Sequence, residues 1–505
     1  MAEAVEVLSL LALLSTAVLL VGFLSLTVYL AYVHRKYAHI PGPPRSDFFS
    51  GHLRQITGCV SLPHYLTEQM LAYGAVYKMF ILQKPVVVVL EPNFLKEVMH
   101  STSHTKPAVE HANFWHVFGK RCFYHGLLTE TNVPKYLKRR ALFNPAFHRR
   151  YLMNSMDAFN DSVDLLIEKL SPAADGKTEV KMLDVFNKIT LDVIAKVAFG
   201  LELDDVMEKD SPFTKAIVST LLGVQSQFFE PWKRFSPLAA DRKFRSDVRR
   251  SIRYVRETGR RCIEARMEAK KRGDKLPKDL LTYILEASKN FQADEDFHIE
   301  EMIDEFFTFF FAGQETTANL MAFILVELGH NPEIYERVMT EVNAVFGDKD
   351  RIDYADLGKL EYLSMVIKET LRLWPPAFGT NRLMAYDMSV LGYKIPEGTV
   401  VWFNTYVMGR MEQYFKNPMV FDPERFNKTD KGQREKNLFT YFPFSMGTRA
   451  CIGQSFALIE ARLIIGRLLH NFKFTLVPGQ PRDEVLQEIT IKPRQRCRNY
   501  LTPIR

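Results

Sequence analysis

The sequence predicts a mainly α-helical protein with minor antiparallel β structure, in which one large domain follows an N-terminal transmembrane helix. Residues 7–33 contain no charged side chain, which is typical of a membrane span. Helical periodicity prevails from about residue 150 to 290, and a long apolar helical run follows at 299–329. Strand-like patterns are confined to short stretches such as 75–90 and 389–403. With 505 residues, 47% of them hydrophobic and 25% charged, the chain is long enough to bury a sizeable core.

The N-terminal apolar run is predicted to be a permanent anchor. It exceeds the ~20 apolar residues that cross a bilayer as a helix. Glu3 and Glu6 precede it, whereas a cleavable signal peptide begins with positive charge and has a shorter apolar core. Arg35 and Lys36 follow immediately, and positive residues mark the cytosolic side of a span. We therefore expect a single-pass membrane protein.

These features divide the chain into four segments. Residues 1–6 form a lumenal N-terminus, 7–33 the transmembrane anchor, 34–48 a basic and proline-rich neck, and 49–505 the main domain in the cytosol. The neck contains Pro-Gly-Pro-Pro, which can neither continue a helix nor join a sheet.

Composition and motifs exclude several classes of protein. The five cysteines are scattered and form no CxxC pair, so neither a zinc site nor a disulfide framework is predicted. The net charge of +7 suits an anionic membrane surface or an acidic protein partner, and no nucleic-acid-binding motif occurs. The chain has no Walker A loop and no GxGxxG fingerprint, so it holds no nicotinamide or flavin domain. Any electrons must come from a partner.

The residues around Cys451 indicate a metal ligand in a tight turn. Gly447 lies four residues before this cysteine, Gly453 lies two residues after it, and Arg449 lies between the first glycine and the thiol. Glycines let the backbone adopt positive φ and approach a flat ligand closely. A helix-like run begins at residue 454, and a helix N-terminus favours an ionised thiolate. For such a cysteine alone, the alternative is a buried free thiol.

The long apolar run holds an acid and an alcohol side by side. Glu315 and Thr316 follow Ala312 and Gly313 near its centre. The central glutamate argues against a second membrane span, because a charge in mid-bilayer is costly. Glycine in a helix costs about 1 kcal/mol relative to alanine, which indicates a close approach to the backbone. A threonine that bonds back to a carbonyl loosens the helix, so the pair can hold water and relay protons. The alternative is a kinked core helix with a stray glutamate.

An acid and a base share another helix face. Glu369 and Arg372 lie three residues apart, and Arg425 follows in an Asp-Pro-Glu-Arg segment. As a surface pair, the first two would contribute only about a few tenths of a kcal/mol to stability.

These three elements together resemble the cytochrome P-450 family, and the similarity extends from the proline-rich neck to about Pro493. The resemblance implies the cytochrome P-450 fold, with a single haem-thiolate catalytic domain over 49–505. It implies that Cys451 is the axial ligand of the iron of haem b, whose chemistry a thiolate tunes toward O–O cleavage. Further cofactor contacts are implied for Phe444, Gly447, Arg449, Gly453, Ala312 and Gly313.

The same resemblance implies roles for the acid, the alcohol and the ion pair. Thr316 and Glu315 deliver protons to oxygen. Glu369, Arg372 and Arg425 form a buried network that supports the haem-binding turn, a role that suits the forked guanidinium of arginine.

Haem carries two propionates, so several cations are expected to converge on it. By their places in the family pattern, Arg449 and Arg382 are the first candidates, and Arg139 is the third. Lys135 stands where the family usually has tryptophan, so no tryptophan contact with a propionate is expected.

The implied activity is monooxygenation of a lipophilic substrate with O2. Electrons would come from NADPH through the membrane-bound NADPH-dependent flavoprotein reductase, and the chain would reside in the endoplasmic reticulum membrane. Stretches at 356–363, 374–380, 405–411 and 439–444 resemble sterol side-chain hydroxylases within the family, which implies a sterol substrate. Candidate substrate contacts, each with core packing as the alternative, are Phe114, Trp115 and Phe310.

Two other functions stay open from the sequence. A haem-thiolate isomerase or dehydratase would act on lipid peroxides without O2 or a reductase. Such enzymes can dispense with the acid–alcohol pair, so Glu315 and Thr316 argue against it. The other is a non-catalytic membrane protein that binds haem or a sterol.

Overall fold

A computed structural model describes residues 2–59, 61–81, 84–203, 211–277, 279–290, 299–427 and 439–504. Its α-helices are α1 (Ala2–Lys36), α2 (Leu53–Gly58), α3 (Leu62–Tyr73), α4 (Pro92–His100), α5 (Ala108–Trp115), α6 (Val133–Phe143), α7 (Arg149–Asn154), α8 (Met156–Leu170), α9 (Met182–Phe199), α10 (Pro212–Phe229), α11 (Ala239–Arg272), α12 (Leu280–Asn290), α13 (Ile299–His330), α14 (Pro332–Phe346), α15 (Tyr354–Leu357), α16 (Glu361–Leu373), α17 (Thr405–Met408) and α18 (Gln454–Asn471).

The strands are short, as the sequence predicts. They are β1 (Val76–Ile81), β2 (Lys84–Val89), β3 (His116–Val117), β4 (Lys120–Arg121), β5 (Glu179–Lys181), β6 (Thr380–Leu383), β7 (Met388–Val390), β8 (Tyr393–Ile395), β9 (Val400–Phe403), β10 (Phe472–Leu476), β11 (Val485–Gln487), β12 (Ile491–Pro493) and β13 (Arg498–Pro503). The prediction of a mainly helical fold with small sheets is confirmed.

The chain divides into two compact units. The smaller comprises Met1–Leu95 and Leu383–Phe403, and the larger comprises Lys96–Arg382 and Asn404–Arg505. All the candidate site residues named above belong to the larger unit.

The smaller unit contains a hairpin at 75–90, where the sequence predicts strands. β1 and β2 pair antiparallel, and Pro85 lies within β2 opposite Phe80 rather than between the strands. The amide and carbonyl of Phe80 both bond to His52 instead of to β2. The missing N–H of proline therefore removes no bond of this ladder.

β9 pairs parallel with β2, with Val86 opposite Val400. This pairing differs from the purely antiparallel structure that the sequence predicts. Strands next to a parallel partner form continuous apolar runs, as the four consecutive valines of β2 do. β7 and β8 form the small antiparallel hairpin expected near residue 389.

α1 is exposed along the apolar stretch between Glu6 and Lys36. Only near its end do side chains become buried, with Leu30 at 0% and Val33 at 7% exposure. Just beyond it, the hydroxyl of Tyr37 lies 2.7 Å from that of Thr399. A long apolar helix that packs against no other part of the protein is suited to the interior of a lipid bilayer, as the predicted anchor requires.

α13 is the central helix of the larger unit. It packs against α9, α11, α16 and α18, and 78% of its most apolar window is buried. It is therefore a core helix and not a second membrane span. A Cβ at Gly313 would lie 3.2 Å from Ile194 of α9, which is the close approach that the glycine indicates. The Thr190 hydroxyl of α9 donates to the Gln314 carbonyl at 2.9 Å.

The remaining sheets of the larger unit are small and antiparallel. β13 lies between β10 and β5, β11 pairs with β12, and β3 pairs with β4. The β11–β12 hairpin lies against α13 through β12. This hairpin therefore brings C-terminal side chains to the helix that holds the acid–alcohol pair.

Candidate active site

Cys451 ends a tight turn that backbone hydrogen bonds and glycine define. Its amide donates to the Phe444 carbonyl at 2.8 Å. Gly447 has a φ of +69°, and a Cβ there would lie 2.0 Å from the Met99 carbonyl oxygen, so only glycine fits. α18 begins at Gln454, so its positive end lies just beyond the cysteine.

The Cys451 thiol lines an enclosed space that water can enter. The residue is exposed, yet desolvation by the surrounding protein raises the pKa of its thiol. A group that is both accessible and desolvated lines a concavity and not the outer surface. A hydrogen bond from the Gly453 amide and the charge of Arg140 act in the opposite direction and lower this pKa. A bound metal ion would deprotonate the thiol outright.

Arg140 is a contact of this turn that the sequence analysis missed. Its Nη1 donates to the Ala450 carbonyl at 2.6 Å. One turn earlier on α6, the Tyr136 hydroxyl donates to the Thr448 carbonyl at 3.1 Å. The Arg449 guanidinium lies 3.9 Å from the centre of the same tyrosine ring. The basic run on α6 was visible in the sequence, but not which of its arginines reaches the cysteine turn.

Lys106, Arg382 and Arg449 form a cluster of cations. Burial, Arg449 and Arg382 together hold the pKa of Lys106 well below its usual value. Burial and Arg449 lower the pKa of Arg382 to about 10. Lys106 donates to the Leu128 carbonyl at 2.6 Å, and Arg449 donates to the Glu130 carbonyl at 2.7 Å. Burial lowers the pKa of Arg449, and the charge of Glu130 opposes this lowering. Within the described residues no carboxylate forms an ion pair with the cluster, and Nη2 of each arginine is buried without a hydrogen-bond partner.

This cluster fits a ligand with two carboxylates. Enclosed cations without counter-charges are costly, and carboxylates that reached them would take up the free guanidinium donors in charge-assisted bonds. Haem offers two propionates beside an iron that binds thiolate. The residues present therefore fit haem.

Arg139 is not part of this cluster. Its guanidinium pairs with Glu301 of α13 and lies 3.9 Å from Glu305. The prediction that Arg139 contacts a propionate is therefore wrong, because the Glu301 carboxylate of α13 already neutralises this arginine. Lys106 is the third cation of the cluster instead. It lies in the segment between α4 and α5, outside every motif, so the sequence carried no signal for it.

A short stretch in the middle of α13 stays partly accessible. Most of the helix is buried, but Phe311, Ala312, Gly313 and Thr316 stay partly accessible. The Thr316 hydroxyl donates to the Ala312 carbonyl at 2.6 Å. Such back-bonding loosens a helix locally, as the sequence predicts for this threonine.

Glu315 lies on another side of the same helix turn. It is 8% exposed, and its carboxylate lies 3.5 Å from the Lys492 ammonium on β12. Burial raises the pKa of Glu315, and the charge of Lys492 lowers it. The acid and the alcohol are therefore neighbours in sequence but do not face the same space.

Glu369, Arg372 and Arg425 meet, as the resemblance implies. Nε and Nη2 of Arg372 each donate to a Glu369 oxygen at 2.7 Å, and both residues are buried. Arg425 Nε lies 3.4 Å from the same carboxylate. The Gly409 carbonyl accepts from Arg372 at 2.5 Å, and the Asp422 amide donates to Glu369 at 2.8 Å. The bidentate pair thus ties α16 to the segment that precedes the cysteine turn.

Phe310 packs in the core and has no surface for a ligand. It is 0% exposed, and its ring centre lies 5.2 Å from that of Phe199, 5.1 Å from Phe213 and 4.6 Å from Phe306. The prediction that Phe310 contacts the substrate is therefore wrong. The next residue, Phe311, belongs to the accessible stretch instead, because one residue turns a helix by about 100°.

Phe114 and Trp115 are both partly accessible at the end of α5. The Phe114 ring lies 4.9 Å from that of Phe228 and 6.4 Å from that of Phe311. The Trp115 indole donates to the Thr129 carbonyl at 3.3 Å. Phe114 therefore shares an aromatic group with the accessible stretch of α13, whereas Trp115 is tied to the adjoining loop.

The sequence profile of the cytochrome P-450 family matches residues 41–496. The chain belongs to the cytochrome P-450 family. It is 29% identical over 486 residues to cytochrome P-450 4d2 of Drosophila melanogaster, which covers 92% of this chain and 94% of that relative. It is 28% identical to cytochrome P-450 3A29 of Sus scrofa over 89% of this chain and 90% of the relative. It is 30% identical to secologanin synthase 2 of Catharanthus roseus, with 83% and 79% covered.

Membership of the family establishes the reaction class of this P-450. It is a monooxygenase, and its family implies a haem cofactor. α1 is long and apolar enough to cross a membrane.

We predict that Glu369→Gln destabilises the fold strongly. The substitution leaves the enclosed Arg372 without its counter-charge, which costs about 3–5 kcal/mol. Glu424→Gln is the matched control, because it breaks the exposed 2.8 Å pair with Arg337 and should cost less than about 1 kcal/mol. Urea unfolding of both variants measures the difference, and equal losses would contradict a supporting role for the buried pair.

The stability contributed by Glu305 should depend on pH. Burial raises its pKa from 4.5 to about 8, so the folded chain keeps a proton that the unfolded chain releases. Its contribution is therefore present in full below about pH 4.5 and is lost as the pH rises to about 8. Relative to Glu305→Gln, the wild type should lose free energy of unfolding across this window, by at most about 1.4 kcal/mol per pH unit. Urea unfolding across the window checks this, and a constant or rising difference would refute it.

Proposed function

We propose that this P-450 hydroxylates a sterol side chain, with O2 and with electrons that NADPH supplies through a flavoprotein reductase. The observation that carries the proposal is the accessible Cys451 thiol, on a glycine-defined turn whose Arg449 belongs to a cluster of three cations. An accessible thiol beside such a cluster fits an enzyme that activates oxygen with haem better than it fits a non-catalytic protein that only binds haem or a sterol.

Cys451 would hold the haem iron, and Lys106, Arg382 and Arg449 would hold the two propionates. When bound, haem supplies the activation of O2 and the transfer of one oxygen atom to the substrate. The positive end of α18 and the charge of Arg140 favour the ionised form of the thiol. The α6 contacts with the turn keep the sulfur in one position.

Thr316 and Glu315 would deliver protons in sequence. The Thr316 hydroxyl lies on the accessible stretch of α13 and donates a hydrogen bond to the Ala312 carbonyl, which leaves the lone pairs of its oxygen free to accept one. Burial raises the pKa of Glu315, so this carboxyl holds a proton more readily than an exposed one. Because the two residues face different sides, water in the loosened helix turn would connect them.

A flat apolar substrate fits the aromatic surroundings of the accessible stretch of α13. Phe114 and Phe311 are partly accessible and contribute aromatic surface there. The choice of a sterol rests on the stretches at 356–363, 374–380, 405–411 and 439–444, which resemble cholesterol 24-hydroxylase. Two aromatic faces and the absence of a charge on these side chains suit a hydrocarbon skeleton.

The proposed setting is the endoplasmic reticulum membrane, with a single pass and a cytosolic catalytic domain. Arg35 and Lys36 at the end of α1 support this orientation. Lys135 and Lys138 are exposed on α6, the helix that also holds the cysteine turn. They suit an acidic reductase surface close to the thiol.

The experiment combines the purified full chain with the NADPH-dependent reductase and a panel of sterols, fatty acids and terpenoids. We expect a low- to high-spin shift with a sterol and an NADPH- and O2-dependent product with one added hydroxyl on its side chain. The reduced, carbon-monoxide-treated protein should show the Soret absorbance of thiolate coordination, and Cys451→Ser should lose both this band and the product.

The outcomes separate the parts of the proposal. Product from a fatty acid or terpenoid but from no sterol would contradict the substrate class alone. Product from lipid peroxide without NADPH would contradict monooxygenation. Retained oxidation in Cys451→Ser would contradict the role of the thiolate.

Thr316→Ala should uncouple electron use from hydroxylation. Loss of the hydroxyl removes a proton-delivering group, and such groups contribute about 100-fold or more to rate. We expect NADPH consumption to continue while product per NADPH falls, and Thr316→Ser to retain most of the product. Unchanged product per NADPH in the alanine variant would remove Thr316 from the proton path.

A further inference from the structure

A second concavity of the larger unit lies between β4 and α11 and shares no lining residue with the thiol site. Its volume is 280 Å³. Its charged lining side chains are Lys120, Arg121, Arg253, Arg256 and Arg260 and, as the one acid, Glu257.

α11 concentrates the positive charge of the chain. It carries thirteen lysines and arginines and five carboxylates, an excess larger than the net charge of +7 of the whole protein. Arg253, Arg256 and Arg260 follow one another at spacings of three and four residues, so they lie along one face of the helix. The cleft is therefore the place where a continuous basic stripe meets a second basic segment, β4.

Two carboxylates, the buried Asp304 and the half-exposed Glu300, pair with three of these arginines. Asp304, whose side chain is 0% exposed, accepts from Arg121 at 2.6 and 3.0 Å and from Arg256 at 2.9 Å. Glu300 pairs with both Arg256 and Arg260. Each guanidinium has five N–H donors, so these pairs leave donors over for a ligand.

Two cations of the cleft remain without a counter-charge. Lys120 and Arg253 are exposed, and in the described part of the chain neither forms an ion pair. Two unneutralised cations beside preorganised guanidinium groups match a doubly charged anion. Arginine forks bind tetrahedral oxyanions through paired hydrogen bonds.

We propose that this cleft binds a phosphate- or sulfate-type dianion, as the free ester or as the headgroup of a lipid. Its concave shape and small volume fit one such group with its water, whereas an acidic protein would need a broad surface. Lys120 and Arg253 supply the attraction that the internal carboxylates do not cancel, and Arg121 and Arg256 supply the oriented donors.

Calorimetric titration with sodium phosphate tests the site on the full chain in phosphatidylcholine nanodiscs. We expect saturable binding to one site, weakened by salt. Lys120→Ala combined with Arg253→Ala should weaken it by about 10-fold or more, since two charge-assisted contacts are lost. Arg242→Ala combined with Lys271→Ala is the matched control, because it removes two exposed cations of α11 outside the cleft and should leave the affinity unchanged.

The same titration in discs that also contain a phosphatidylinositol phosphate distinguishes the two sources. Loss of phosphate binding there assigns the cleft to the lipid headgroup, and unchanged binding assigns it to a soluble ester. No saturable binding by the wild type, or equal weakening in the two double variants, would overturn the proposal. Circular dichroism melting of the variants ensures that the comparison is between folded proteins.

Discussion

An excess of positive charge at the thiol site is the constraint on which this site depends. Lys106, Arg382 and Arg449 repel one another in surroundings that hydrate them poorly. The fold tolerates them because backbone carbonyls and the Tyr136 ring take up part of their donors and charge. The two carboxylates of haem would offset the repulsion among these cations, and this relief would contribute to the free energy of haem binding.

α13 distributes three tasks along one helix. Its first turns carry carboxylates that neutralise Arg121, Arg139 and Arg256. Its middle offers an accessible stretch that ends at Thr316, whereas most of the rest is buried. Because successive side chains point about 100° apart, neighbours such as Glu315 and Thr316 serve different surroundings. The same apolar helix therefore forms part of the hydrophobic core and also lines the candidate site.

Local sequence patterns were sufficient for the features that local chemistry decides. The bounds of α13, the short strands at 75–90 and the turn at Cys451 follow from periodicity and glycine within a few residues. The Glu369–Arg372–Arg425 contact was predicted only through the family resemblance, because charge spacing alone does not distinguish a buried pair from an exposed one. Helical periodicity likewise could not decide between Phe310 and Phe311, since both lie in an apolar run and only the packing of α9 and α10 shows which is covered.

Contacts between distant segments were beyond such reasoning. Lys106 takes the place expected for Arg139 in the cation cluster, and Arg140 contacts the cysteine turn, because of the tertiary arrangement of α5, α6 and α13. Their residue types were visible, but the direction in which each points depends on neighbours hundreds of residues away. The parallel pairing of β2 with β9 was not predicted for the same reason, because the two strands are far apart in the sequence.

That pairing also matters while the protein is being made. A nascent chain emerging from the ribosome completes β1 and β2 early, but Val400 of β9 follows Val86 by roughly 300 residues. Until then one edge of a valine-rich strand has open hydrogen-bonding groups, and such edges invite aggregation. Early insertion of α1 into a bilayer would keep each growing chain apart from its neighbours, so the anchor would act as a folding aid before it acts as a tether.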